Sequence, residues 1–560
     1  MGLRSSNVRR LQQETFDVLI LGGGINGAVA AASLAAKGVK VALIDKGDFA
    51  GLTSSNSSNL AWGGIKYLES LDFLLVNRLC RSRNHLMQSY PSTVKEIRFL
   101  TTMHKGFRFR PFMVFLGTVL YWLIGHFQTQ PPRPLTPRKI KEWEPIVNTA
   151  NAAGGFEYSD CYLHDNDARF VFNFIRTSLD YGCIAANYVT SLTNRRNGVH
   201  WITEAVDTIT DDRFSIRSKV LINACGPYAD AQNHKVKQKT EHHHLYSKGI
   251  HLIFDQIGEN RKVLTFFARD GRMFFVIPMG PRTCVGTTDT QVDEPEVRVT
   301  DEDRNYVLDN INSCLDLSRP LVREDIIAER CGVRPLAVKG TEGVADWVKL
   351  SRKHAIDANK EDKYISIFGG KLTDCLNVGD EIADIVMKLG IDAPQGKYRW
   401  YGEPVDSVKN EFLHQAKLMQ LDKLTPDTSS EPLSKRFWRR YGMNAMELLE
   451  RIRENPESAR LLIENSEYLR CEIELTARRE MVTKLEDFLR RRSKIEQVVR
   501  KQDIVEAPGL RDACELFFGN QASDKLQEYI DSLPHHADTA QANSGTGCTT
   551  GSEACLNHEI

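Results

Sequence analysis

The apolar and polar positions of this chain alternate between short strands and helices for about 400 residues, and then turn helical throughout. Phe16 to Leu21 is a near-continuous apolar run of buried-strand type. Gly22-x-Gly24-x-x-Gly27 follows at once, then an Ala-rich helical segment from Ala28 to Lys37. Gly38 closes that segment, and Val39 to Ile44 reads as a second strand ending at Asp45. Residues 70–110 read as amphipathic helix, with Arg78, Arg81, Arg83 and His85 on the polar side. Phe112 to Phe127 is the most apolar stretch, shorter than the roughly 20 residues that cross a bilayer. Cations flank it at Lys105, Arg108 and Arg110 and again at Arg133, Arg138, Lys139 and Lys141. Periodicity alone leaves it either an interfacial helix or a buried core helix. Pro131 to Pro137 reads as a linker, and residues 151–165 lead into a helix bearing Arg169 and Arg176. Further strands are predicted over Ala185 to Leu192, as a hairpin over 201–217, and over Val220 to Gly226. Alternation at Leu252–Phe254, Met273–Pro278 and Thr283–Thr287 predicts an antiparallel sheet, with a turn at Gly286 to Asp289. Ile365 runs as a strand into Gly369-Gly370-Lys371, followed by a helix over Leu372 to Lys388. Residues 404–530 are helical and heavily charged, and the run Arg490 to Arg492 reads as a solvated face. From Pro534 the chain lacks periodicity and reads as a disordered tail.

Composition narrows the classes. A chain of 560 residues is too long for one core and predicts two or three domains. Lys plus Arg equals Asp plus Glu at 73 each, which argues against a nucleic-acid partner. The twelve cysteines form no CxxC pair and no metal-ligand spacing, so no metal site is expected. With no apolar leader before Phe16, no secretory signal is expected, and the cysteines read as small buried hydrophobes in a reducing compartment. Met1 to Ser6 loosely fits a myristoylation pattern but reads better as a short disordered basic leader.

The chemistry begins at the glycines. Gly22 permits the sharp turn out of the strand, Gly24 lets a pyrophosphate approach the backbone, and Gly27 brings helix and strand close. The helix start at Ile25 and Asn26 offers free N–H groups to phosphate, and Asp45 can accept from a ribose hydroxyl. A strand before, a helix after and an acid about twenty residues on make dinucleotide binding the reading here. The polar run from Lys46 to Glu69 follows, with Thr53, Ser54, Ser55, Ser57 and Ser58 as hydroxyl donors. In it Gly63-Gly64 allows backbone to lie against a flat ring, and Lys66 and Tyr67 stand beside it. Val189, within the strand Ala185 to Leu192, Gly226, at the end of the next buried strand, and Gly369, Gly370, Lys371, Leu372 and Thr373, a second phosphate-friendly turn, complete the cofactor expectation. By residue type alone, His251 reads as a core histidine, and His242, His243 and His244 as a solvated loop rather than a metal cluster.

The segment TSSNSSNLAWGGIKYLE resembles the flavin-contacting region of the respiratory FAD-dependent glycerol-3-phosphate dehydrogenases. SKGIH, FFVIPMG, VGTTDT, the Gly332-x-Arg334-Pro335-Leu336 block, Ser351 to His354 and ISIFGGKLT resemble the same family in the same order, as does the C-terminal segment Thr476 to Arg492. The chain departs from the family at Asn59, Trp62 and Lys66, where Lys, His and Arg are usual. The resemblance implies an α/β fold: an FAD-binding Rossmann-type domain over 1–400 with an interleaved antiparallel substrate sheet (mainly 240–350). A helical C-terminal cap over 401–533 and the tail 534–560 follow. It implies FAD as cofactor and oxidation of sn-glycerol 3-phosphate to dihydroxyacetone phosphate by hydride transfer to flavin N5. His251 then becomes the base, with Lys66 and Tyr67 near the reacting carbon, and Arg334, Arg352, Lys371 and Thr288 hold the substrate. Implied partners are a small phosphorylated substrate, a quinone and the cytoplasmic surface of a membrane, held peripherally or monotopically; a purely cytoplasmic location and a homodimer stay open. Two rival readings keep the flavin, one with another hydroxy or amino substrate, the other as a binding module that has lost catalysis.

Overall fold

The computed structural model describes residues 2–259, 261–268, 271–340 and 353–533. Arg352 and the tail 534–560, with Cys548 and Cys555, lie outside them.

Helix α1 (Leu3–Gln13) opens the chain. It is not a disordered leader: Asn7, Val8 and Leu11 are buried, and Arg4 pairs with Asp207 at 2.7 Å. The strand Thr15–Leu21 follows, then helix α2 (Ile25–Ala36) and the strand Val41–Ile44. These strands pair in parallel and are flanked in parallel by Arg213–Asn223 on one side and Ile184–Ala186 on the other. Tyr364–Gly369 joins beyond Arg213–Asn223, and the hairpin His200–Asp207 with Arg213–Asn223 appears where alternation predicts it. Four residues of Val41–Ile44 and nearly all of α2 are buried, so this sheet is covered on both faces, as its unbroken apolar strands require.

A second, ten-stranded sheet carries His242–Asp255, Met273–Met279, Arg282–Gly286 and Ala328–Lys339 in antiparallel pairing. It is larger than the expected 240–350 block, because residues 60–61, 94–104, 133–135 and 152–163 also enter it. Three expectations are corrected here. Only the first half of 70–110 is helical, as α3 (Phe73–Ser89); Pro91 follows, and Val94–His104 becomes a strand paired with Ala152–Leu163. Inside the supposed linker, Arg133–Leu135 pairs with the same strand. His242, His243 and His244 are not a loop either: they begin a strand, paired with Lys339, Val338 and Ala337.

The apolar stretch forms α4 (Pro111–Ile124). Only Thr118 and Tyr121 on it are buried, while Phe112, Met113, Leu116, Leu120 and Leu123 are exposed on one stripe. A fully buried core helix is therefore not what forms. Among the described residues no helix is long and apolar enough to cross a membrane.

Residues 406–533 are helical, as expected. The Arg490 to Arg492 reading is overturned. Arg491 and Arg492 are buried and both reach Asp48, at 2.7 and 2.8 Å, just past the Asp45 end of the first unit. Arg490 donates to Asn56 at 2.9 Å. Residues 443 and 434 positions apart in sequence thus fasten the helical cap to the polar loop after Asp45. Arg169 with Glu480 at 2.6 Å and Arg440 with Asp165 at 2.7 Å fasten the same cap to the start of the helix Asp167–Asp180.

Candidate flavin and substrate site

The glycine turn is as tight as its spacing requires. Gly22 has φ +100°, and a Cβ on it would lie 2.5 Å from the Ala224 carbonyl oxygen. A Cβ on Gly27 would fall 1.8 Å from the Gly22 carbonyl oxygen, so no other residue fits between helix and strand. Gly24 opens α2, and the Ser54 hydroxyl accepts from the Ile25 N–H at 3.0 Å. Asp45 accepts from the Gly23 N–H at 2.6 Å and the Gly47 N–H at 2.8 Å, and burial pushes its carboxyl above the usual range. The Val189 N–H donates to the Asp45 carbonyl. Beside Gly226 (φ +55°), the Tyr228 ring sits 3.3 Å under the Lys46 ammonium.

Segments distant in sequence converge on this turn. Asn26 donates to the Gly369 carbonyl at 3.0 Å, which places the Gly369-Gly370-Lys371 turn against the start of α2. Both glycines have positive φ, +59° and +103°. Thr53 donates to the Val333 carbonyl at 2.6 Å, fixing the hydroxyl-rich loop (with Ser55, Ser57 and Ser58) to the strand that carries Arg334. The Thr373 hydroxyl reaches the Trp62 carbonyl at 3.4 Å, and the Lys371 ammonium lies 4.5 Å from the Tyr67 ring centre. Leu372 begins the short turn ahead of the helix Cys375–Lys388. The segment that holds Gly63, Gly64, Lys66 and Tyr67 is thus joined to the 369–373 turn at both ends, through Trp62 and Tyr67.

On the second sheet, His251 is 1% exposed and stands opposite Gly286 on one side and Arg330 on the other. Neither ring nitrogen has a hydrogen-bond partner. Burial, with the Arg334 and Arg330 guanidiniums nearby, holds its imidazole well below the ordinary value. A buried ring with two unpaired nitrogens is the kind of orphan a ligand completes. Arg334 donates to the Thr287 hydroxyl at 2.7 Å and the Thr288 carbonyl at 3.3 Å, and lies 3.5 Å from Asp289. Its guanidinium crosses Gly249, where a Cβ would sit 2.2 Å away. The Thr288 hydroxyl accepts from the Ile250 N–H at 3.0 Å while its carbonyl accepts from Arg334, so this residue ties Arg334 to the neighbouring strand. Arg330 donates to the Ser57 carbonyl at 2.7 Å and to Asn59 at 3.2 Å, so the asparagine gives a buried cation an acceptor.

Sequence reasoning missed several supports. His244 Nε2 accepts from the Gly369 N–H at 3.1 Å. His354 lies between Asp374 (3.0 Å) and Glu381 (2.8 Å); burial opposes its charge, yet the two carboxylates push its pKa up to about 9. Asp374 closes the 369–373 turn and also accepts from Ser82 and Asn377. Histidine next to Arg352 and Lys353 looked like one more surface charge; only the fold supplies its two acids. Because this pKa is raised in the folded protein, the stabilisation is complete below the unfolded value near 6.5 and fades as pH rises through 9. His354→Gln is expected to remove that alkaline sag from a plot of unfolding midpoint against pH.

Parallel strands around a tight glycine turn, an acid at the second strand end and a second sheet packed over the same turn define a dinucleotide-dependent oxidoreductase. A family described as FAD dependent oxidoreductase matches residues 17–352, and one described as C-terminal domain of alpha-glycerophosphate oxidase matches 404–510. The aerobic glycerol-3-phosphate dehydrogenase of Bacillus subtilis (strain 168) is 32% identical over 383 residues, 67% of each chain. That of Staphylococcus aureus (strain USA300) is 30% identical over 510 residues, 87% of this chain and 88% of its own. The structure of the glycerol-3-phosphate dehydrogenase from Bacillus halodurans complexed with FAD superposes with a TM-score of 0.68 at 23% identity, covering 95% and 97% of the two chains, a likeness of fold. The chain belongs to the FAD-dependent oxidoreductases, in the family of the aerobic glycerol-3-phosphate dehydrogenases.

The residues present fit FAD. The glycine turn and the start of α2 suit a pyrophosphate and Asp45 the ribose, the 369–373 turn is held against the start of α2, and His251 offers an unpaired buried ring.

Proposed function

We propose that this protein oxidises sn-glycerol 3-phosphate to dihydroxyacetone phosphate and passes the electrons to a quinone at a membrane surface. The observation that carries the chemistry is His251: buried, unpaired at both nitrogens and held neutral. Oxidising a secondary alcohol removes a hydride from carbon and a proton from oxygen. FAD, when bound, supplies the hydride acceptor. His251 takes the proton, and its depressed pKa keeps it ready to do so through the neutral range. Arg334 offers a planar fork to phosphate oxygens, with Lys371 as a second charge and Arg352 as a third within the same reading. Lys66 and Tyr67 border the end where the carbon reacts. The N–H groups at 369–370 and the helix that follows favour negative charge on the ring.

Anaerobic mixing of the yellow protein with glycerol 3-phosphate is expected to bleach the flavin, while glycerol, glycine and proline do not. Bleaching by one of those others would replace the substrate assignment, and bleaching by none would leave a binding module. Protonating His251 should require acid well below pH 6.5, so the rate of bleaching is expected to show no loss near that pH. A break there would assign the proton to another group.

The outer stripe of α4, with Arg108 and Arg110 before it, supports docking on lipid from one side. Replacing Leu116 and Leu120 together by Glu is expected to release the protein from sedimenting vesicles with flavin reduction by substrate intact. Retention on the vesicles would move the docking face elsewhere.

A further inference from the structure

Behind Gly63 lies a buried polar cluster that the chemistry above does not use. Asp160, on the strand Ala152–Leu163, is wholly buried. Both of its carboxylate oxygens lie 3.2 Å from the Gly63 N–H. Oδ2 accepts from the Tyr121 hydroxyl at 2.6 Å, and Oδ1 from the Cys161 N–H at 3.1 Å and Arg83 Nη1 at 3.3 Å. Arg83 is 1% exposed and Tyr121 2%. Arg83 Nη1 also donates to the Tyr121 oxygen at 3.2 Å, and its other donors reach Asn84, which donates onward to Gly125 at the end of α4. Burial pushes the Asp160 carboxyl up, opposed by the Arg83 guanidinium and by the hydrogen bonds from Tyr121 and the Gly63 N–H.

An ion pair taken this far out of water is a poor way to gain stability; apolar side chains of the same volume would serve at least as well. Its retention needs another reason, and its target supplies one. A Cβ on Gly63 would sit 2.2 Å from the Tyr121 oxygen, so the Gly63 peptide is pressed directly onto the cluster. The next residue, Gly64, has φ +84° and turns the chain into Lys66 and Tyr67. The cluster therefore sets the height and tilt of the Gly63-Gly64 backbone.

We propose that Asp160 is a positioning residue for the flavin: through the Gly63 N–H it fixes the backbone wall of the ring site, and Tyr121 from α4 fixes Asp160. This rests on the reading that places the ring beside Gly63-Gly64. An acceptor on the far side of a peptide also polarises it, which changes the field the ring meets as it takes up charge.

The test uses the FAD-loaded full chain and three substitutions. Tyr121→Phe keeps the packed ring and removes one donor to Asp160; Asp160→Asn keeps the shape and removes the charge. Both are expected to retain flavin while shifting its visible absorbance bands and midpoint potential, with kcat lowered about three- to tenfold and KM for glycerol 3-phosphate within twofold. Tyr121→Phe carries the test if Asp160→Asn does not fold. Wild-type bands, potential and kcat in Tyr121→Phe would overturn the proposal. Gly63→Ala, made in the Tyr121→Phe background where the hydroxyl clash is gone, separates the two layers. If it shifts the bands and Tyr121→Phe alone does not, the positioning role falls and the ring stays beside Gly63. If neither shifts them, the ring is not there and both fall.

Discussion

Replacing Arg334 by Ala is expected to raise the glycerol 3-phosphate concentration for half-maximal flavin reduction by roughly 10²-fold, with the flavin still bound. The size follows from two lost hydrogen bonds to a charged group, at about 1.5 kcal/mol or more each. The flavin stays because Arg334 is held by Thr287 and the Thr288 carbonyl on the second sheet, while the glycine turn and Asp45 belong to the first. Lys at 334 is expected to recover only part of the affinity, since a point charge cannot make a fork. Titration of the oxidised protein with substrate under argon reads both variants, and an unchanged midpoint for Arg334→Ala would remove it from the anion site.

Replacing Arg491 and Arg492 together by Ala is expected to destabilise the protein by about 3–5 kcal/mol, the usual consequence of leaving a buried charge, here Asp48, without its partners. Arg492 and Arg491 both meet Asp48, whose carboxyl burial would raise; the Arg492 and Arg491 guanidiniums instead hold it below the usual carboxylate range. A carboxyl depressed in this way stabilises the fold above the unfolded pKa near 3.9, and the contribution is lost as pH falls. Urea unfolding at neutral pH measures the difference, and a loss under 1 kcal/mol would show the pairs to be dispensable. The gap between wild type and variant is also expected to narrow in acid.

The first unit was legible in the sequence because everything it needs is local. Strand, glycines, helix and acid lie within thirty residues, and Gly27 is demanded by Gly22, a neighbour that the spacing itself brings close. The Gly369-Gly370-Lys371 turn was legible by the same logic. What could not be read was pairing at long range. Arg491 and Arg492 look solvated until Asp48 is brought beside them, and His354 looks like a surface cation until Asp374 and Glu381 flank it. Val94–His104 was misread because the charges before Pro91 carry a helical period that the strand after it does not share, and its partner Ala152–Leu163 lies about fifty residues on. His251 was singled out by resemblance alone; that its ring is unpaired and neutral is a property of the packed sheet.

The fastening of Arg491 and Arg492 onto Asp48 bears on how the chain is made. As the ribosome releases the first 400 residues, the loop beside the glycine turn holds an acid, Asp48, whose counter-ions have yet to be synthesised. The nascent first unit can close its parallel sheet, but that loop settles only when the last helices arrive. A chain stopped before residue 491 should therefore emerge with a loosened cofactor mouth, and the cap cannot be swapped for that of a relative unless its two arginines travel with it.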